Sequence, residues 1–319
     1  MPFPDNFKEL RPSMKKLILI LPLIIAFSQP SGASEKAIRL ALWKLPLNLP
    51  AMAAIENRTY EKAFAGEYKV EYINLPSGPK QVQAMAAGEL DIAEGLGAAA
   101  VIVAIANGVD ITVIGANSRS PEAFAVAVKN SKITDISDLK GKKVAGLRGS
   151  VVHQLFVELL RKEGLTEKDV EFFPMPLNAA ASALIAERVD AALLAGTEIL
   201  RAEKGGCRVI RDGRGILEGL SLIAARRGFA EKNRSAIKKY LAIRESIRLE
   251  TVNSLQEFVP LLKKETGLSE KEIRITLSKF NYDTRITESD IQELKKTAEY
   301  LKNENIIKSI PVINNILWK

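Results

Sequence analysis

The chain has 319 residues, 47% hydrophobic and 26% charged, which fits a folded globular protein and excludes a disordered one. Its formal charge is +8, but aromatic residues make up only 6% and are not interleaved with the Lys and Arg. That pattern argues against a nucleic-acid groove and for a surface that steers anionic solutes. A single cysteine, Cys207, excludes an intrachain disulfide, so the fold must rest on its apolar cores, and the length allows two.

At the amino end, Lys15-Lys16 precede an apolar run at 17–27, and Ser31-Gly32-Ala33 then offers small residues. Charged start, short apolar run and small-residue exit form a secretory signal peptide. The run is too short to span a bilayer, which takes about 20 residues. Cleavage is expected after Ala33, from a start at Met1 or Met14, and the mature protein is expected in the periplasm. No cysteine follows the run, so no lipid anchor is expected. An uncleaved anchor is the alternative.

The mature chain opens with a strand at 38–42, a loop at 43–48, and a helix that Pro50 suits as an early residue. A strand at 69–73 leads through Ser77-Gly78-Pro79 into a helix at 81–87, closed by Gly88. A third strand, 90–93, runs into Gly95-Leu96-Gly97, where the helix 98–106 begins. That helix reads AAAVIVAIA, apolar on every side, and must be buried all round. A fourth strand covers 111–114. Strands alternating with helices of this length predict a parallel sheet. In such sheets ligands sit at the carboxyl edge, where helix N-termini favour an anion.

The polar stretch 117–122, NSRSPE, breaks the pattern and marks a first crossing into a second lobe. Strands are predicted at 124–128, 143–145, 170–173 and 190–194, and helices at 135–140, 151–164 and 178–187. The loop RDGRGILEG, between strands at 209–210 and 220–225, marks the crossing back. From Phe229 on, helices are predicted at 230–252, 255–266, 269–277 and 288–304, with Pro260 interrupting or beginning one of them. An internal echo, AAGELDIAEGLG at 86–97 against IAERVDAALLAG at 185–196, suggests matching edges in the two lobes. In that reading Asp91 and Asp190 are structural, at the strand ends far from a ligand.

Sharper chemical readings find little support. Gly95-x-Gly97-x-x-Ala100 resembles a dinucleotide turn, but Gly115-Ala116-Asn117 supplies no acid for a ribose. His153 is the only histidine; no second His or useful Cys exists to complete a metal set, and no acid nearby in sequence partners it as a base. Ser150 is not in a Gly-x-Ser-x-Gly elbow. No catalytic group, metal or cofactor is expected.

The stretches LPSGPKQVQAMAAGELDIAEGLG (75–97), DISDLKGKKVA (135–145), GSVVHQLFVELLRKEGL (149–165) and ARRGFAEKN (225–233) carry a resemblance. They resemble periplasmic substrate-binding proteins of ABC importers, in the aliphatic sulfonate, taurine and nitrate group that includes thiamine-precursor binders. The resemblance implies an α/β, two-lobed periplasmic-binding-protein fold (type II) with parallel-dominated sheets flanked by helices and two crossover segments. Its first lobe would be 34–117 plus 219–319 and its second 118–218. It implies ligand contacts at Trp43 through Asn48, Ser77, Gly78, Gly97, Ala98, Ser118, Arg119, Ser150, His153, Thr197 and Glu198.

The chain departs from the group in two places. Leu194-Ala195-Gly196-Thr197 stands where an aromatic and an acid are common, and Ala98 follows Gly97 where an aspartate is common. An anionic head with an apolar tail therefore fits better than a cationic end-group, for which Glu198 is the only nearby acid. The expected function is capture of a small organic anion, sulfonate-like, for an ABC permease and its ATPase, by a monomer that binds no nucleic acid. A pyrimidine, nitrate or another small solute is the alternative within the class. A biosynthetic enzyme on this fold and a sensor ectodomain are the alternatives outside it.

Overall fold

Alternating burial makes the first strand, β1 (Ala37–Ala41), with Ile38 and Leu40 turned to one side. The structure is a computed structural model that describes residues 36–319, except 42, 43, 45 and 76 and the side chain of residue 47. The expected signal peptide and Trp43 lie outside the described residues. Among the described residues nine further strands follow: β2 (Lys69–Tyr72), β3 (Ile92–Gly97), β4 (Ile111–Arg119), β5 (Phe124–Val128), β6 (Lys143–Gly146), β7 (Glu171–Pro174), β8 (Ala191–Ala195), β9 (Arg208–Asp212) and β10 (Leu220–Arg226). They form two five-stranded sheets, ordered β2-β1-β3-β10-β4 and β7-β6-β8-β5-β9.

The sheets are built alike and are less purely parallel than the alternation of strands and helices predicts. In each, one strand runs against its neighbours: β10 between β3 and β4, and β5 between β8 and β9. The reversed strand is the one that arrives from the other sheet. It enters at the carboxyl edge, so it must run backwards. The polar stretch read as a break proves to be the end of the long strand β4, which carries on through Asn117 and Ser118 to Arg119. Those side chains can be buried because each finds hydrogen-bond partners.

Both faces of each sheet are packed. On the first sheet Ile38, Leu40, Ile92 and Ile223 meet Phe64 and Tyr240 on one face. Ala93, Leu96, Leu222 and Ala224 meet Val101 and Leu301 on the other, so successive residues of a strand serve opposite cores. The all-apolar helix Ala98–Ala106 is not buried all round as expected: the sheet and the helix Glu288–Asn303 cover Val101, Ile102 and Ala104, while Ala100, Val103, Ile105 and Ala106 stay half-buried. On the second sheet one face carries Val126, Val128, Val144 and Leu193. The other is mostly alanine (Ala125, Ala127, Ala145, Ala192), which lets the helix Leu177–Ile185 approach closely.

The carboxyl-terminal helices follow the expected pattern with two differences. The helix predicted over 230–252 is broken at Asn233 into Arg227–Lys232 and Arg234–Asn253. Pro260 lies inside the helix Leu255–Thr266 rather than at an end. Among the described residues, no helix is long and apolar enough to cross a membrane.

Candidate functional site

The two crossings set the geometry of the cleft. β4 ends at Arg119, paired to the start of β10 at Leu220; β5 starts at Phe124, paired to the end of β8 at Ala195. Both connections, 120–123 and 213–219, therefore join the carboxyl edge of one sheet to the carboxyl edge of the other. The edges face each other across this double hinge. Gly219 permits the second crossing: its φ is +63°, and a Cβ there would lie 2.5 Å from the Ser120 carbonyl oxygen.

Helix N-termini collect along these edges. Ser77 caps the helix Gly78–Ala86, accepting from Lys80 N–H at 3.4 Å. Extended Gly97 precedes Ala98–Ala106. In the second lobe, Ser150 caps Val151–Lys162, and Gly196, at φ +58° and ψ −125°, turns β8 into Thr197–Lys204. Each start leaves backbone N–H groups unpaired within its helix and carries the positive end of the helix dipole. Ser150 Oγ also donates to the Leu147 carbonyl at 2.6 Å, so its own proton is already used. Glu198 is paired with Arg201 at 2.7 Å, one turn along the helix.

Asn48 and Ser118 are drawn into one buried network. Asn117 Nδ2 donates to Asn48 Oδ1 at 2.8 Å and to Ser221 Oγ at 3.1 Å, and the Ser118 and Ser221 hydroxyls lie 3.0 Å apart. Behind them, Glu94 of β3 accepts from Tyr60 at 3.1 Å, Tyr240 at 2.5 Å and Arg244 Nε at 2.8 Å. Arg244 Nη2 reaches Asn117 Oδ1 at 3.2 Å. Burial pushes the Tyr60 and Tyr240 hydroxyls far above their ordinary range, so both stay donors to the carboxylate. The sequence reading passed over Glu94 and Arg244. A usable signal existed: Ile237, Tyr240, Arg244, Ile247 and Thr251 form one buried helical stripe, with an arginine in its middle.

Four of the five guanidinium N–H groups of Arg119 are bonded within the protein. Its guanidinium makes two bonds to Asp290, one at 2.6 Å, and one each to the carbonyls of Asp283 at 2.8 Å and Arg285 at 2.7 Å. The physical reason is burial: 7% exposed, the charge needs acceptors, and Asp290 of the helix Glu288–Asn303 and two carbonyls of the segment before it supply them. The same helix grips the second crossing, with Ser289 bonded to Glu218 at 2.5 Å and the Glu218 backbone N–H on Glu293. Burial pushes the Glu293 carboxyl up to about 7.

His153 lies in a contact between the lobes. Its Nδ1 accepts from Gly149 N–H at 3.5 Å and from the Tyr300 hydroxyl, leaving Nε2–H to donate to Glu167 at 2.6 Å. Burial lowers its pKa, against the pull of Glu167. His153, Glu167 and Glu304 offer ligand atoms within 4.8 Å of one another. Arg148, however, already bonds both carboxylates, so the cluster is a finished ion network joining the lobes. A second link, Lys204 to Glu272 at 2.5 Å, also joins them, and holds the Glu272 carboxyl down at about 2.

Two α/β lobes, two hinge crossings and facing edges of helix N-termini define the periplasmic-binding-protein fold. The chain belongs to the NMT1/THI5-like family, whose pattern matches residues 67–243. It is 30% identical over 77% of its length to an Escherichia coli protein named for binding aliphatic sulfonates, covering 76% of that protein. It is 28% identical to one so named from Bacillus subtilis, covering 94% of this chain and 93% of that one. The crystal structure of the periplasmic aliphatic sulphonate binding protein SsuA from Escherichia coli superposes with a TM-score of 0.82 at 27% identity, over 90% of this chain and 93% of that one. These relatives are named as binding proteins.

Proposed function

We propose that this protein is the exported solute-binding component of an ABC importer, capturing a small organic anion, most simply an aliphatic sulfonate, between the two carboxyl edges. The observation that carries the reading is the convergence of helix starts at Ser77, Gly97, Ser150 and Thr197 on edges held face to face by two crossings. Main-chain N–H groups at such starts suit a tetrahedral anionic head. The similarity to proteins named for aliphatic sulfonates supports the choice of head group. The working protein is then a periplasmic monomer, cleaved near Ala33, with lobes 34–117 plus 219–319 and 118–218, which hands its ligand to a permease and ATPase.

In this reading Asn48, Ser77, Gly97 and Ser118 belong to one wall, and Ser150 and Thr197 to the other, with Gly78, Ala98, Glu198 and Trp43 beside them. Arg119 and His153 serve the hinge and the lobe contact. Closure is a hinge motion driven by contacts that a ligand makes with both lobes at once. A melting screen of short alkanesulfonates, taurine, nitrate, carboxylates and a pyrimidine tests the reading. Sulfonates should stabilise by about 2.7 kcal/mol at a hundred times the Kd. Stabilisation by the pyrimidine or nitrate alone would reassign the solute, and turnover of any of them would end the binding-protein reading.

A further inference from the structure

We propose that the helix Glu288–Asn303 is a conformational latch: it belongs to the first lobe by its apolar side and holds the crossings and the second lobe by another, so that it sets how readily the lobes part. Its apolar side carries Leu294, Ala298 and Leu301 into a core of the first sheet. A second stripe, Asp290, Glu293, Thr297 and Tyr300, recurs at helical spacing and is also buried, although each side chain carries a polar group. On a helix packed against one lobe only, such residues would face solvent. At the amino end Asp290 pairs with Arg119, the last residue of β4, while Ser289 bonds Glu218 and Glu293 takes the Glu218 backbone N–H. At the carboxyl end Tyr300 bonds His153, and Glu304, just past the helix, pairs with Arg148 at 3.4 Å. His153 and Arg148 both belong to the second lobe.

The two ends stand differently toward a hinge motion. Asp290 and Tyr300 are separated by about 15 Å of helix, at 1.5 Å per residue. When the second lobe swings about the crossings, the amino end, seated on them, moves least, and the carboxyl end is where the lobes separate. The bonds to His153 and Arg148 are therefore the ones that break, while Asp290 and Ser289 keep their grip. The contact is made to part: what crosses it is mainly polar, and water can take over those hydrogen bonds, whereas a broad apolar seam would hold the lobes together. The fit is close nonetheless. Val157 of the second lobe packs on the first lobe's core, and a Cβ on Gly149 would lie 2.9 Å from Ile306 Cδ1. Lys204 and Glu272 join the lobes through another pair of helices, so the described arrangement, bonded at both places, is the shut one. The latch thus favours the shut state before a solute arrives, and part of the affinity for the solute comes from it. That last consequence rests on the reading that the solute sits between the lobes.

The test combines Tyr300→Phe with Glu304→Gln, which weakens both far-end bonds and leaves the apolar packing in place. Small-angle scattering of the solute-free variant should show a larger radius of gyration than wild type. Calorimetric titration of butanesulfonate should show about tenfold weaker binding, with the radius returning to the wild-type value at saturation. A solute-free radius equal to that of wild type overturns the proposal whatever the affinity, and so does a radius that stays large at saturation. Should the variant not fold, Arg148→Gln cuts the bond to Glu304 from the second lobe and is read in the same way. Scattering needs no solute, so a wild-type protein that binds no sulfonate strikes the functional reading and leaves the latch to be judged by the solute-free radius.

Discussion

Asp91 and Asp190 make the same bond in the two lobes. Asp91 Oδ2 accepts the Arg39 backbone N–H at 3.1 Å and Asp190 Oδ2 the Lys143 backbone N–H at 2.9 Å. Each aspartate returns its own N–H to the carbonyl of the same partner, at 3.0 Å and 2.9 Å. Both tie the start of a central strand to its neighbour, at the edge away from the cleft. They differ in what else they hold, because Asp91, 1% exposed, also pairs with the Arg39 and Arg226 side chains.

That difference predicts unequal costs. Asp91→Ala leaves two half-buried guanidinium groups without their carboxylate and should cost about 2–4 kcal/mol. Asp190→Ala loses chiefly one backbone bond and should cost about 1 kcal/mol. Urea unfolding of the two variants measures both. Equal losses would mean the arginine pairs contribute nothing.

Glu293 makes the hinge sensitive to protonation. With its folded pKa raised to about 7, it binds more protons folded than unfolded, so its contribution to stability falls as pH rises from about 4.5 to 7. Glu293→Gln removes that penalty. The variant should be more stable than wild type by about 1–3 kcal/mol at about pH 8, and equal to it near pH 4. Melting curves at the two pH values decide; an advantage at low pH would reverse the assignment.

His153 acts with the opposite sign. Its folded pKa is lowered by burial, so the unfolded chain takes up the proton first. Stability should fall as pH drops through about 6.5 toward the folded value. The titratable groups that face the ring are Glu167, Arg148, Glu304 and Tyr300. His153→Gln should flatten the pH dependence between about pH 6.5 and 5. An unchanged slope would place the titration elsewhere.

The Lys204–Glu272 pair links the lobes at the surface and should respond to salt. Lys204→Ala should weaken ligand binding about two- to fivefold at low ionic strength, with the difference closing at high salt. Small-angle scattering of the ligand-free variant should show a larger radius than wild type. The same radius and affinity at all salt concentrations would make the pair incidental.

The two lobes, their crossings and nearly every strand were legible because apolar period and glycine-marked turns are local signals. β4 beyond Ile114 was not: Asn117 and Ser118 look like loop until their partners Asn48 and Ser221, distant in sequence, are in place. Arg119 and His153 were marked as ligand contacts because they sit beside a turn and a helix start. Their partners Asp290 and Tyr300 lie more than a hundred residues away, and no local pattern reveals such a pairing. The helix starts at Gly97 and Ser150 were readable from those residues, whereas the helix after Ser77 begins at Gly78, ahead of the predicted start at 81.

The position of β10 governs the order of assembly. The second sheet is complete within residues 124–212, whereas β3 and β4 have no common neighbour until residues 220–226 are made. As the chain leaves the ribosome, β1, β2 and β3 can already pair with one another, but β4 must wait for β10, and the sheet begun second can finish first. The first sheet thus stays in two pieces until both crossings have been synthesised.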